Sequence, residues 1–340
     1  MNPIYILRAS RVQALAFTVV SAAALTACGG GGGGGDNSGP AQPSSLQRFA
    51  INEGNYKDVI STSGAATMQA TQPSGAASLV GVQARTGNWM SWVQAVIEQV
   101  RATPAMDRSL LGVEQSIPCA SGSGTVVYTD TNKNDVVDGG DVFQADFRAC
   151  QAADGSGKYD GKFVMTVQNV SGNTEGRAAK LAFASLKVEQ ADFKGTIDGN
   201  MLLVTTTDLL MINAPELKLS TAAAGAAVVE SWTNFQFSVE AASGGFSAGS
   251  RMTFGGSLVS SELGNKQVDI STPVALVFDG EAEAPSSGSM LVSGANGSAA
   301  TVTVTSSTSI VLAVDANGDG KPEQSSTTTW NEFLGGAAPL

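Results

Sequence analysis

From Cys119 to the C-terminus, apolar and polar residues alternate with a period of two. Phe163, Met165 and Val167 are one such set; Phe235, Phe237 and Val239 are another. Val302 and Val304 continue the pattern, as do Ile310, Leu312 and Val314. Successive side chains of a strand point to opposite faces, so these runs predict antiparallel strands with one face on a core and the other polar. Clusters of Gly, Asp, Asn and Ser separate them and supply turns. A weak internal repeat accompanies the alternation: Asp160-Gly161-Lys162-Phe163, Asp198-Gly199-Asn200-Met201, Gly255-Gly256-Ser257-Leu258 and Ser287-Gly288-Ser289-Met290. The spacing of these glycines is uneven, which excludes a strict solenoid period. The expectation is a meander of hairpins with a glycine at each strand start. The fold class is then mainly β: a large curved antiparallel sheet, a barrel or a sandwich over residues 119–340.

Residues 47–118 read differently. Trp89, Trp92, Val93, Val96, Ile97 and Val100 fall on one face at helical spacing, after a candidate cap at Asn88 and before Pro104. This predicts a helical lead segment packed on the sheet. Two Trp on one face also suit a helix that covers a ligand or meets a partner.

The composition removes several functions. The 340 residues include no His, so a Ser-His-Asp or Cys-His mechanism and a His-ligated metal are excluded. A net charge of −11 argues against a nucleic-acid partner, which selects a basic surface. Gly245-Phe246-Ser247-Ala248-Gly249 has the hydrolase-elbow string but no His base and a strand-like sequence behind it. Gly155-Ser156-Gly157-Lys158 lacks the first glycine and the Ser or Thr of a phosphate loop and reads as a hairpin turn. Glu281 and Glu283 would be the one carboxylate pair for glycoside hydrolysis, but they sit in a Gly, Ala and Pro context that makes a solvated turn.

The N-terminus carries Arg8 and Arg11, then an apolar stretch from Val12 to Ala24, too short to span a bilayer. It ends in Leu25-Thr26-Ala27-Cys28. This resembles the lipobox of bacterial lipoproteins. The resemblance implies a signal peptide at 1–27, cleavage before Cys28, a diacylglyceryl group on the Cys28 sulfur and an acylated amine. Several acyl chains hold a protein durably on a membrane where one would not. Seven glycines, Gly29 to Gly35, follow the cysteine, and residues 28–46 read as a flexible tether. Glycine rather than aspartate after Cys28 is similar to outer-membrane lipoproteins of Gram-negative bacteria, with the face of the membrane left open.

Cys119 and Cys150 then form an even pair in an exported chain, which predicts a disulfide. Two Asp/Asn-rich runs are candidate calcium sites, because alternate residues of a tight loop can turn oxygens inward. The first is Asp130, Asn132, Asn134, Asp138 and Asp141, with Asp135 where the turn glycine belongs. The second is Asp315, Asn317 and Asp319, with Gly320 at the sharp turn and Glu323 at position nine. The second resembles loops of dockerin-like and thrombospondin-type repeats, although its twelfth position is Ser326. Both runs are equally compatible with plain β-turns. Any Ca2+ here would be structural.

Gly140-Asp141, Phe143, Phe147, Cys150, Gly161 and Thr166-Val167 also resemble a pattern in β-rich bacterial lipoproteins, as do Ser287-Gly288, Gly294-Ala295, Asp315, Asp319-Gly320 and Trp330. That family implies no activity. The function expected is therefore non-enzymatic: a lipid-anchored envelope protein with a structural, adhesion or assembly role. The alternative is a carrier that holds a lipid or other apolar ligand between the sheet and the Trp89/Trp92 helix.

Overall fold

The computed structural model describes residues 46–71, 112, 114–134, 137–153, 155, 157–168, 177–190, 193–206, 208–223, 226–241, 249–279 and 284–333. Among these residues, fourteen strands form one antiparallel sheet in sequential order. They are β1 (Glu114–Ile117), β2 (Cys119–Thr129), β3 (Val142–Ala152), β4 (Lys158–Gln168), β5 (Arg177–Gln190), β6 (Phe193–Thr205) and β7 (Leu209–Ala223). The series continues with β8 (Ala226–Glu240), β9 (Ser250–Ser260), β10 (Lys266–Phe278), β11 (Ser287–Ser293), β12 (Ala299–Val304), β13 (Ser309–Asp315) and β14 (Gln324–Thr329). The mainly β class and the hairpin meander are as the alternation predicted. The sheet is not closed: β1 pairs with β2, β14 with β13, and the two ends do not meet. This removes the barrel from the three expected forms and leaves a curved sheet or sandwich. Both open ends are unattractive templates, one a four-residue strand and the other the polar run Gln-Ser-Ser-Thr-Thr-Thr.

One face of the sheet is the core. Phe163, Leu186, Ile197, Ile212, Phe235, Leu258, Val268 and Ile310 are all fully buried and belong to one hydrophobic cluster. Along β3, β5, β7 and β8 the alternation slips once. Consecutive inward residues lie three apart at Phe147/Cys150, Phe183/Leu186, Ala214/Leu217 and Trp232/Phe235. At each slip the strand carries a residue suited to a bulge: Ala149, Ser185 and Asn234 have φ of 50, 48 and 53°, and Pro215 needs no ladder N–H. The extra residue restores the inward phase and bends the strand.

The Asp-Gly repeat is the counterpart of these bulges. Gly161 and Gly199 lie inside β4 and β6, not at strand starts as the sequence suggested. Each Asp holds a bulge on the preceding strand: Ala149 N–H donates to Asp160 Oδ1 at 3.3 Å, and Ser185 N–H donates to Asp198 Oδ1 at 2.6 Å. Each Gly admits a carbonyl from the bulge on the following strand. A Cβ on Gly161 would collide with the Ser185 carbonyl, and one on Gly199 with the Glu216 carbonyl. Their φ values of 119 and 120° are open only to glycine at low cost. One Asp-Gly pair therefore serves two bulges and propagates the bend across the sheet.

α1 (Tyr56–Thr71) is the helix of the N-terminal lead. Tyr56, Val59, Ile60, Ser63, Ala66 and Thr67 are buried, the spacing of one helical face. An Asn52–Asn55 turn starts it: Asn52 N–H donates to Asn55 Oδ1 at 2.8 Å and Val59 N–H to the Asn55 carbonyl at 3.0 Å. The helix packs on β11, β12 and β13. Before it, residues 47–49 run along β10, with Phe49 N–H donating to the Gln267 carbonyl at 2.8 Å and Gln267 N–H to the Gln47 carbonyl at 2.9 Å. Arg48 bridges Asp269 at 2.6 Å. A helical N-terminal segment thus packs on the sheet as expected, but its helix is α1, at residues not singled out from the sequence. The expected helix at 89–102 lies outside the described residues. A last helical turn, α2 (Trp330–Phe333), follows β14.

Candidate metal centre

The second Asp loop is the connection between β13 and β14. Asp315 is the last residue of β13, and Glu323 N–H donates to the Val314 carbonyl at 2.9 Å, which closes the hairpin. The loop folds around Asp315. Its Oδ1 accepts from Gly318 N–H at 2.6 Å and Asp319 N–H at 3.2 Å, and its Oδ2 from Gly320 N–H at 2.7 Å. Asn317 Oδ1 accepts from Asp319 N–H at 2.8 Å, and Glu323 Oε2 from Ala316 N–H at 2.6 Å. These bonds gather three carboxylates. One oxygen from each of Asp315, Asp319 and Glu323 lies within 4.8 Å of the others.

The donor set fits a hard cation. Each carboxylate oxygen has two lone pairs; Asp315 Oδ1 uses both on N–H bonds, whereas its Oδ2 and Glu323 Oε2 each accept one N–H and keep a lone pair for a cation. Calcium takes six to eight oxygens and completes a sparse protein shell with water. Asn317 is held by the loop backbone, and Ser326 faces the other way, with its Oγ 3.2 Å from Tyr56 Oη. Three carboxylates and solvent would make a shallow, exposed site.

The first Asp loop is built on a different plan. Asp141, fully buried at the start of β3, is its centre. It accepts from Tyr128 Oη at 2.8 Å, Thr131 N–H at 3.0 Å and Asp138 N–H at 3.0 Å. Burial pushes its pKa up, but the Asp138 and Thr131 amides and the Tyr128 hydroxyl outweigh it and hold the carboxyl below its ordinary value. Burial and the bond to Asp141 hold the Tyr128 phenol above its own. Asn132 and Asn134 present amide nitrogens to Asp138, at 2.9 and 2.6 Å, rather than free oxygens to a common centre. Asp130 Oδ1 accepts from Lys133 N–H at 2.6 Å. Among the described residues, Asp315, Asp319 and Glu323 are brought together as a cluster of acids, whereas Asp130, Asp138 and Asp141 are not.

Cys119 and Cys150 are joined as predicted, with Cα atoms 5.4 Å apart across β2 and β3. The turn with Gly155 and Gly157 connects β3 to β4 through the Ala152 N–H to Gly157 carbonyl bond of 2.8 Å. Cys28 and its lipobox, Trp89, Trp92, Ser247, Glu281 and Glu283 lie outside the described residues. The sequence reading missed two groups. Asp160 and Asp198 stand in the sequence as a repeat, which does not reveal their grip on the neighbouring strand. Glu230 carries one sequence signal, a Glu two residues before Trp232 in an alternating run, which points to the core side.

No protein-family model, curated protein or solved structure matches the chain.

Proposed function

We propose that this protein is a non-enzymatic lipoprotein held on the outer membrane of a Gram-negative bacterium through lipid on Cys28. Its β body acts as a structural, adhesive or assembly element of the envelope. The observation that carries this reading is the fate of the cysteines. The chain has three, and two of them are consumed by the Cys119–Cys150 bond inside the sheet. Such a bond fits an oxidising compartment. The third stands in the lipobox-like sequence ahead of a glycine tether. Calcium at Asp315, Asp319 and Glu323 stiffens the β13–β14 hairpin in this reading, since millimolar affinity suffices outside the cytoplasm.

The test is detergent phase partitioning of the full chain expressed in a Gram-negative host, with mass spectrometry of residue 28. The wild type enters the detergent phase and its N-terminal peptide carries diacylglyceryl and acyl mass on Cys28. Cys28→Ser stays aqueous. An unmodified Cys28 in a membrane-free protein overturns the anchor. Native mass spectrometry of the same sample separates the carrier reading, which requires a co-purifying apolar ligand.

A further inference from the structure

We propose that Glu230 is a proton-operated latch at the corner where β8, β9 and the 3₁₀ turn Ser261–Leu263 meet: the protonated side chain keeps the corner closed, and its ionisation opens it.

Glu230 is 3 % exposed and occupies an inward position on β8, two residues before the buried Trp232. It stands between Leu219 of β7 and Ser260 of β9. Its Oε2 is buried and has no hydrogen-bond partner among the described residues, and neither has Trp232 Nε1. A buried carboxylate without a partner is among the most costly groups a core can hold, whereas the neutral acid is tolerable.

Among the described residues, the groups around it offer no cation. On β7 the inward neighbours are Leu217, Leu219 and Thr221, with Lys218 exposed on the other face. On β9 they are Leu258 and Ser260. The 3₁₀ turn brings Glu262, a like charge, and Lys266 of β10 is exposed and lies over the Phe49 ring. Burial, with Glu262 adding to it, pushes the Glu230 carboxyl up to about 8.

Among the described residues, one side-chain bond ties β8 to the turn beside the latch: Val229 N–H donates to Ser261 Oγ at 3.0 Å. The turn is otherwise held within itself and to the end of β9, with Glu262 N–H donating to Ser260 Oγ at 3.2 Å and Asn265 N–H to the Ser260 carbonyl at 2.9 Å. Separation of the turn from β8 would let water reach Glu230 and move Glu262 away from it.

The sign follows from linkage. The folded chain holds this proton more tightly than the unfolded chain, whose Glu titrates near 4.5. The stability it contributes is complete below that value, is lost as pH rises towards about 8, and does not change further above it.

The experiment is chemical denaturation of the full chain and of Glu230→Gln across this pH range, with amide exchange at Val229 and Glu262. One carboxyl can shift the unfolding constant about tenfold per pH unit. The wild type is therefore expected to lose stability relative to Glu230→Gln by about 100-fold or more in unfolding constant between about pH 5 and about pH 8. Protection at Val229 falls over the same range in the wild type alone, after correction for intrinsic exchange, with Glu262, bonded within the turn, as the local reference. Glu262→Gln moves the wild-type midpoint to lower pH. Parallel pH profiles for wild type and Glu230→Gln overturn the proposal. If Glu230→Gln does not fold, the carboxyl carbon of Glu230 is titrated by NMR in the wild type: a midpoint well above the ordinary Glu range, with matching loss of protection at Val229, supports the latch. A midpoint near the ordinary value, or titration without that loss, overturns it.

Discussion

The sheet from β2 to β10 and the sheet from β11 to β14 use the same alternation in opposite ways. In the C-terminal part the strands are six or seven residues long, and their registers run unbroken, from Gly288↔Val304 to Ser293↔Ala299 and onward to Val314↔Gln324. There α1 covers the inward face and the strands need not bend. In the longer part the strands reach fifteen residues and are interrupted by register shifts. A long strand with one buried face curves toward its core, and the bulges provide the curvature without losing the inward phase. The short region achieves burial with a helix, the long region with bends. The two therefore depend on different residues.

Glycine substitutions should break this comparison most sharply. Gly199→Val is expected to cost about 3 kcal/mol or more, because it adds backbone strain to a collision with the Glu216 carbonyl. Gly320→Ala in the β13–β14 loop also meets positive φ but has open space around it, so about 1 kcal/mol is expected. Urea denaturation of both variants measures the gap, and equal losses would remove the role assigned to the Asp-Gly pair.

The disulfide comes next. Cys119→Ser with Cys150→Ser should lower stability by roughly 3–4 kcal/mol, the chain-entropy value for a closed loop of this size. Hydrogen exchange should show the loss concentrated in β2 and β3 rather than in β11–β14.

Calcium should act at the other end. At ten times Kd it adds about 1.4 kcal/mol by mass action. The melting temperature of the full chain is expected to rise with added Ca2+, to fall with chelator, and to lose that response in Asp315→Asn. An unchanged melting temperature in the wild type would return the loop to a plain hairpin turn.

The smallest effect is expected from Asp198→Ala, about 1 kcal/mol for the bonds its carboxylate accepts from Ser185 N–H and Oγ at an exposed bulge. Acid supplies a companion measurement. Asp141 is held below its ordinary pKa, so its contribution is present above the unfolded value of 3.8 and is lost as pH falls through the lower folded value. Acid titration of stability should therefore be shallower in Asp141→Asn.

Much of this architecture was legible. The period-two runs located β4, β8, β12 and β13, and the inward set Phe163, Phe235, Val302 and Ile310 is buried as the alternation required. The three-residue slips were also in the sequence, at Phe147/Cys150 and Trp232/Phe235, although a slip looks like noise until a neighbouring strand shows what it accommodates. At the candidate site, Asp315, Asp319 and Glu323 were readable from spacing, and the hairpin gathers them. Asp130 to Asp141 had similar spacing, but the strand start at Asp141 and the hydroxyl of Tyr128 turned that run inward around a single buried carboxylate.

The sequence alone determined the local terms: which side chains alternate, where turns fall, which cysteines can pair, and where a lipobox-like motif stands. These depend on neighbours a few residues away, or on chemical identity. The tertiary structure decided that the sheet stays open, that Asp160 and Asp198 hold bulges on neighbouring strands, and that Glu230 Oε2 is buried with no partner among the described residues. Those outcomes depend on which backbone lies across the ladder and on what excludes water. Neither is a property of any short stretch of chain.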